Sequence, residues 1–176
     1  LSYATDRAYR GVGDMPPLGI RMMASLELAL SAGELKLSST DPDEQPFLDY
    51  RYFQQEEDLR RMREAVRLCV SLGEHERFND IIESRIEPTD EELASDEDLD
   101  TYMIREVTTG QHISGTCKMG PDSDDMAVVN QFGRVRGVQN LRIVDASIMP
   151  DCIRANTNVT TMMIAERVSD FIKDGK

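Results

Sequence analysis

The sequence predicts an α+β fold, in which short strands joined by turns lie beside amphipathic helices. Short runs of alternating or β-branched side chains, bounded by Gly and Pro, predict the strands. Longer stretches with apolar residues at three- and four-residue spacing predict the helices. The last third differs in kind, because glycine-rich turns there lead into one strongly periodic helix.

Strands are predicted mainly in the first half of the chain. Residues 1–19 are rich in Gly and Pro without a sustained period, which predicts a loop or an element separated from its partners. Between the apolar stretch Ile20–Leu30 and the alternating run Glu34–Ser38, the residues Ser31–Gly33 predict a hairpin turn in which Gly33 takes a positive φ. The other strands predicted here are Phe47–Tyr50 and Ile81–Ile86.

Helical periodicity is found in three segments. The first runs from Gln55 to about Leu72 and is closed by Gly73. The second is predicted over Asp96–Val107, with Ser95 as its N-cap, Asp98 at the capping-box position and Gly110 after its end. The third is Thr160–Lys173. Short strands are predicted before it at Val128–Asn130, Arg134–Val135 and Leu141–Val144.

Composition excludes several kinds of partner. The net charge of −13 argues against binding to nucleic acid or to an anionic membrane. No apolar run reaches the length of a membrane span. Two histidines and three scattered cysteines do not form a regular metal site, so we predict none. The odd number of cysteines, without a CxxC pattern, favours a reducing compartment, and we predict the cytoplasm.

Two segments carry residue types that are suited to chemistry. In the first, His112 follows a predicted helix, and the small residues after it would let a ligand approach the backbone. The second, Arg154–Thr161, opens the last helix with two asparagines and three threonines. Each has an ordinary alternative, since a lone histidine is more often structural and Asn or Thr often caps a helix. A helix N-terminus is also a natural anion site.

Four segments in a fixed order resemble the C-terminal portion of the glucose–methanol–choline (GMC) family of flavoproteins. The resemblance covers roughly residues 20–173, and the chain opens with Leu1 rather than Met, so we expect a fragment. The family's GxGxxG fingerprint is missing, as a fragment would explain. The four segments are Ser31–Pro42, His112 with Gly115–Gly120, Leu141–Pro150 and Asn156–Glu166.

The resemblance implies a split architecture. Residues 1–120 would form the substrate-binding region, an antiparallel sheet with flanking helices that ends in the His112 loop. Residues 121–176 would form the strand, loop and helix that return to the FAD-binding α/β domain. The expected partners are therefore an upstream FAD-binding portion of the same protein and a small-molecule alcohol, and the fragment is not expected to be active alone. Oligomeric state is not predicted.

The resemblance also implies residue roles. An alcohol oxidation sends a hydride to flavin N5 and a proton to a base; His112 matches the family's base. Asn158 matches a second catalytic position, where an amide can hold the substrate oxygen. Flavin-binding positions match Asp145, Ala146, Asn158, Val159 and Thr160, and the last helix would direct its N-terminus at the flavin. Gln111 is expected to line the substrate pocket from its place beside His112.

The branch of the family and two alternative functions, a lyase and a binding module, stay open at this level. Val159-Thr160 replaces the family's commoner Ala-Pro and is similar to the choline dehydrogenase branch, although the chain has no Trp for an aromatic cage. Some members of the family are lyases that cleave cyanohydrins while the flavin stays oxidised. The chain is alternatively a non-catalytic binding module, because no complete cofactor site is visible in it.

Overall fold

The computed structural model describes residues 2–3 and 20–176. Apart from Ser2 and Tyr3, the loop predicted over residues 1–19 lies outside the described residues. The chain divides into two compact units, one comprising Leu1–Leu26 with Tyr52–Val107 and the other Glu27–Arg51 with Thr108–Lys176. Both α-helices and antiparallel strand pairs are present, as the α+β prediction requires. The division into residues 1–120 and 121–176 stays a prediction.

The first unit is organised around two helices. Strands β1 (Ser2–Tyr3) and β2 (Ile20–Arg21) form an antiparallel pair. Helix α1 (Glu56–Gly73) packs against α2 (Asp96–Glu106), and both agree with the predicted helices to within one or two residues. Ser95 caps α2 as predicted, because its Oγ accepts the Asp98 N–H at 3.1 Å.

The contact between α1 and α2 combines an apolar core with an ionic cluster. Leu99 and Met103 of α2 are buried. The Arg63 side chain of α1 is only 11% exposed and forms salt bridges with three carboxylates, which raise the pKa of its guanidinium. These carboxylates belong to Glu56 (2.6 Å), Asp96 (3.1 Å) and Asp100 (2.7 Å).

One prediction in this unit is wrong. Residues 81–86 are not a strand, because the chain turns through a 3-10 helix at Glu76–Phe78 and the Phe78 carbonyl accepts the N–H groups of Ile81 and Ile82. Helix α2 ends at Glu106, one residue before the predicted Val107, since Val107 is already extended, at φ −60° and ψ 137°.

In the second unit, β3 (Glu34–Lys36) pairs antiparallel with β4 (Phe47–Asp49), in the register Leu35 to Leu48. The hairpin loop therefore consists of residues 37–46. The prediction of a hairpin turn at Ser31–Gly33 is wrong. Gly33 lies outside the left-handed region, and it is needed for a close approach instead. A Cβ on Gly33 would lie 2.3 Å from the Asp49 carbonyl oxygen and 2.9 Å from that of Tyr50.

The rest of this unit packs around helix α3 (Thr157–Lys173), whose Val168 is buried with Val129, Ile148 and Met149. The three strands predicted between residues 128 and 144 are reduced to isolated bridges. The Asn130 carboxamide explains part of this, because its Oδ1 accepts two backbone N–H groups and turns the chain. Helix α3 begins three residues before the predicted Thr160, since Asn156 occupies the N-cap position.

Candidate active site

The candidate site centres on His112, in a loop that carries backbone strain. Gln111 directly before it has φ +61°, a left-handed conformation that is uncommon for a residue with a side chain. The Gln111 N–H donates to Thr109 Oγ1 at 3.0 Å, which stabilises this turn. Gln111 is exposed and His112 is half-buried, and the substrate-lining role of Gln111 stays a prediction.

The loop after His112 is held by a regular set of backbone hydrogen bonds. Three of its N–H groups, two residues apart, donate to three consecutive carbonyls of the segment 146–148. Gly115 allows the loop to turn, because it has φ +78°. The bonds are Gly115 to Ala146 (3.3 Å), Cys117 to Ser147 (2.9 Å) and Met119 to Ile148 (2.9 Å).

Asp145 and Ala146 lie at the start of the segment that receives these bonds. The Asp145 Oδ1 accepts the Ser147 N–H at 2.8 Å and so begins the 3-10 turn Ala146–Ile148. Asp145 is exposed and Ala146 half-buried. The backbone bonds therefore hold two predicted flavin-binding positions beside the His112 loop.

An ion pair fixes the far end of the same loop. The Lys118 ammonium lies 2.7 Å from Asp124 Oδ2, and the Met126 N–H donates to Asp124 Oδ1 at 2.9 Å. The hydrogen bond from Lys118, followed by that from the Met126 N–H, lowers the pKa of the Asp124 carboxyl. Asp124 therefore stabilises the loop in its ionised form.

Both nitrogens of the His112 ring are engaged. The Asn156 amide nitrogen lies 2.7 Å from Nε2, and the Thr157 hydroxyl lies 3.2 Å from Nδ1. An amide nitrogen can only donate, so Nε2 is the acceptor and the proton of the neutral ring is on Nδ1. The Nδ1–H then donates to Thr157 Oγ1. This arrangement leaves the lone pair of Nε2 on the side of the ring that faces Asn156.

Asn156 occupies the N-cap position of α3, yet it makes no side-chain capping hydrogen bond. Capping, the ordinary explanation for an asparagine at this place, therefore does not apply to its side chain. The first turn of α3 contains no acidic residue, so the helix dipole presents an uncompensated positive end. Thr157 is buried, at 9% exposure.

The predicted site residues of α3 differ in their exposure, and none of them forms the ring contacts of His112. Asn158 lies in the first turn of α3 and is exposed, and Thr160 of the same turn is half-buried. Val159 is 75% exposed. The ring contacts of His112 come from Asn156 and Thr157, and neither was predicted as a site residue. The only signal for them was their place at the start of a helix with two asparagines.

Two absences apply to the described part of the chain. Among residues 2–3 and 20–176, no group of three or more His, Cys, Asp or Glu side chains is arranged to hold a metal ion. Within those same ranges, no helix combines the length and apolarity needed to cross a bilayer.

Residues 29–165 match the family model for GMC oxidoreductase. The chain therefore belongs to the GMC oxidoreductase family and corresponds to its C-terminal portion.

Similar proteins agree with this membership. The chain is 40% identical to the oxygen-dependent choline dehydrogenase of Ectopseudomonas mendocina over 144 residues, which are 82% of this chain and 25% of that protein. It is 38% identical to the enzyme of the same name from Proteus mirabilis, over 81% of this chain and 25% of that protein. It superposes on the FAD-containing formate oxidase of Aspergillus oryzae RIB40 with a TM-score of 0.73 and 29% identity, covering 84% of this chain and 25% of that one. The chain thus spans about a quarter of the length of the relatives that it matches.

Proposed function

We propose that this chain is the C-terminal part of an FAD-dependent alcohol oxidoreductase in which His112 is the base. The observation that carries the proposal is the engagement of both His112 nitrogens at the start of α3, which leaves the Nε2 lone pair as acceptor. Membership of the GMC family and the similarity to choline dehydrogenases and a formate oxidase support it.

The residues present fit an anionic cofactor edge. Helix α3 begins without an acidic residue in its first turn, and the Asn156 side chain does not cap it. The macrodipole places roughly half a positive elementary charge at such a helix end. Asn158, Val159 and Thr160 would hold FAD from this turn, and Asp145 with Ala146 would hold it from the 3-10 turn. The chemistry that FAD supplies is acceptance, at N5, of the hydride from the alcohol carbon.

The proton of the alcohol would go to His112. A neutral imidazole whose Nε2 lone pair accepts a hydrogen bond is a competent base near neutral pH. The exposed Asn158 amide would donate to the substrate oxygen and stabilise the charge that develops when the proton leaves. The exposed Gln111 would contact the substrate beside the base.

Choline is the first alcohol to test, because the relatives named above are oxygen-dependent choline dehydrogenases. This chain contains no Trp, so an aromatic site for a quaternary ammonium would use Tyr, Phe or residues outside it. The substrate class that we propose is therefore a primary or secondary alcohol.

The partner of this chain would be the FAD-binding portion of the same protein. Val159 (75% exposed), Met162 (61%) and Met163 (56%) place three apolar side chains on one exposed face of α3. Such a face is typical of a surface that another part of the protein covers. The relatives are about four times as long as the matched region, which is consistent with this arrangement. We propose that the chain is inactive alone and that the protein works in the cytoplasm, as the cysteine pattern indicates.

The test is an anaerobic flavin spectrum of the complete protein, before and after addition of choline and a panel of other alcohols. Bleaching of the oxidised bands by any of them supports the proposal. The His112→Ala protein should reduce its flavin at least about a hundredfold more slowly. His75→Ala is the matched control, because the chain's other histidine only begins a 3-10 turn, and its rate should be normal.

The remaining outcomes distinguish the alternatives. A near-normal rate in His112→Ala refutes the role of His112 as the base. Release of a carbonyl compound from a cyanohydrin without bleaching indicates a lyase. A complete protein without bound flavin indicates a binding module.

A further inference from the structure

Thr157 stands out because it joins the candidate base to the interior of the second unit. Its hydroxyl contacts His112 Nδ1 at 3.2 Å, and the residue is 9% exposed. The proposed chemistry does not require Thr157 to contact the substrate or the flavin. Its carbonyl accepts the Thr161 hydroxyl at 2.9 Å, one turn further along α3. Thr157 therefore contacts His112 from a buried position in the first turn of α3.

An imidazole that is held at one nitrogen presents the other to its surroundings. At His112, the held nitrogen is Nδ1 and the presented nitrogen is Nε2. The Nε2 partner, Asn156, is exposed, so an incoming hydroxyl group can replace its amide. The Nδ1 partner is buried and stays in place when that exchange occurs.

From this geometry we infer that Thr157 is a positioning residue, which holds His112 with Nδ1–H toward α3 and with the Nε2 lone pair toward the substrate. The inference rests on the proposed role of His112 as the base. When Nε2 takes the alcohol proton, the ring becomes an imidazolium with a donor on each nitrogen, and Thr157 Oγ1 remains the acceptor for Nδ1–H. No other group has to move to satisfy that nitrogen.

Loss of the hydroxyl should release the ring. Without the Thr157 Oγ1, the Nδ1–H would lose its acceptor on α3. The ring could then rotate, or its proton could move to Nε2, so that the N–H finds another acceptor. Both changes remove the lone pair from the reacting side in part of the molecules. Thr157→Val keeps the shape of the side chain and removes only the hydroxyl, whereas Thr157→Ser keeps the hydroxyl.

The experiment compares these two variants in the complete flavoprotein. Thr157→Val should lower the limiting rate of flavin reduction roughly 3–10-fold, the value of one hydrogen bond, with KM changed less than about twofold. Thr157→Ser should restore the rate to within about twofold of the unmodified protein. Bound-flavin absorbance and circular dichroism check that both variants fold.

A second readout is independent of turnover. Nitrogen-15 NMR of histidine-labelled protein without substrate distinguishes protonated from unprotonated ring nitrogens, and the His112 signals are those lost in His112→Ala. We expect Nδ1–H with an unprotonated Nε2 in the unmodified and Thr157→Ser proteins, and a mixture in Thr157→Val.

The two readouts separate the inference from the proposed function. A Thr157→Val protein with unchanged nitrogen signals and an unchanged rate would overturn the positioning role. A mixture of ring states that Ser reverses would support it. If His112→Ala reduces its flavin normally, the proposed function fails, whatever the nitrogen signals show.

Discussion

Replacing Asn156 by alanine separates two functions that a helix-opening asparagine can have beside a histidine. In the structure its amide donates to His112 Nε2 at 2.7 Å and does not cap α3. An alcohol that gives its proton to His112 must donate to the same lone pair. We therefore expect the Asn156 amide and the substrate hydroxyl to compete for Nε2.

The size of this competition follows from the contact. One intramolecular hydrogen bond contributes about 0.5–1.5 kcal/mol net, and the exposure of Asn156 places this one at the lower end. Removal of the amide should thus strengthen alcohol binding by about 0.5–1 kcal/mol, or roughly two- to fivefold in Kd. The rate of flavin reduction at saturating alcohol should stay within about twofold, because the amide is displaced before the proton moves.

Asn158→Ala is the matched comparison, two positions further into α3. Its amide is proposed to donate to the substrate oxygen during the reaction, so its loss should reduce the limiting rate by about a hundredfold. The assay is anaerobic stopped-flow reduction of the flavin over a range of alcohol concentrations, which separates Kd from the limiting rate.

The opposite pattern would refute this reasoning. If Asn156→Ala lowers the limiting rate more than tenfold while Asn158→Ala leaves it unchanged, Asn156 acts on the reacting atoms and Asn158 does not. The resemblance would then have assigned the role to the wrong asparagine of the pair.

Two further predictions concern stability. Gly33→Ala should destabilise the protein by about 1–3 kcal/mol or more, because the new Cβ would lie 2.3 Å from the Asp49 carbonyl oxygen. Gly137→Ala, which has open space around it but φ +74°, should cost only about 1 kcal/mol, and equal losses in thermal unfolding would contradict the steric explanation. Asp124→Asn should lower the unfolding free energy at neutral pH, since Lys118 lowers the pKa of the native carboxyl and the ionised form is the stabilising one. That deficit should shrink as pH falls through the ordinary aspartate pKa of about 3.9, and denaturant titrations that show a constant deficit down to pH 3 would refute the assignment.

The sequence predicted the elements whose cause is local. Helices α1 and α2 carry apolar residues at three- and four-residue spacing, and Ser95 caps α2. Both helices lie within one or two residues of the predicted positions. Strands β3 and β4 were also found, but their pairing was not, because Gly33 is selected by the distant backbone of Asp49 rather than by a turn. A close approach between segments leaves no periodic pattern in the sequence.

The same difference applies to the candidate site. His112 stands out locally, as a histidine followed by small residues, and the resemblance gave it a role. Its ring partners come from 44 and 45 positions further along the chain, where two asparagines and several threonines are equally suitable by composition. Only the actual start of α3, three residues before the predicted one, brings Asn156 and Thr157 rather than Asn158 against the ring.

Helix α3 links the stability of the unit to the geometry of its histidine. One face of the helix points inward, since its residues recur at three- and four-residue spacing and each is buried or half-buried. Val168 on this face lies 3.7 Å from the place that a Cβ on Gly133 would occupy. The rings of Phe171 and Phe132 meet edge-on, with their centroids 5.0 Å apart. The packing contacts of the C-terminal half and the Thr157 contact with His112 therefore lie on the same face of α3. A side chain on Gly133 would meet the Ile143 carbonyl oxygen at 2.9 Å, so a glycine is needed where the chain passes beside α3. The inward face consists of Thr157, Thr161, Ile164, Val168 and Phe171.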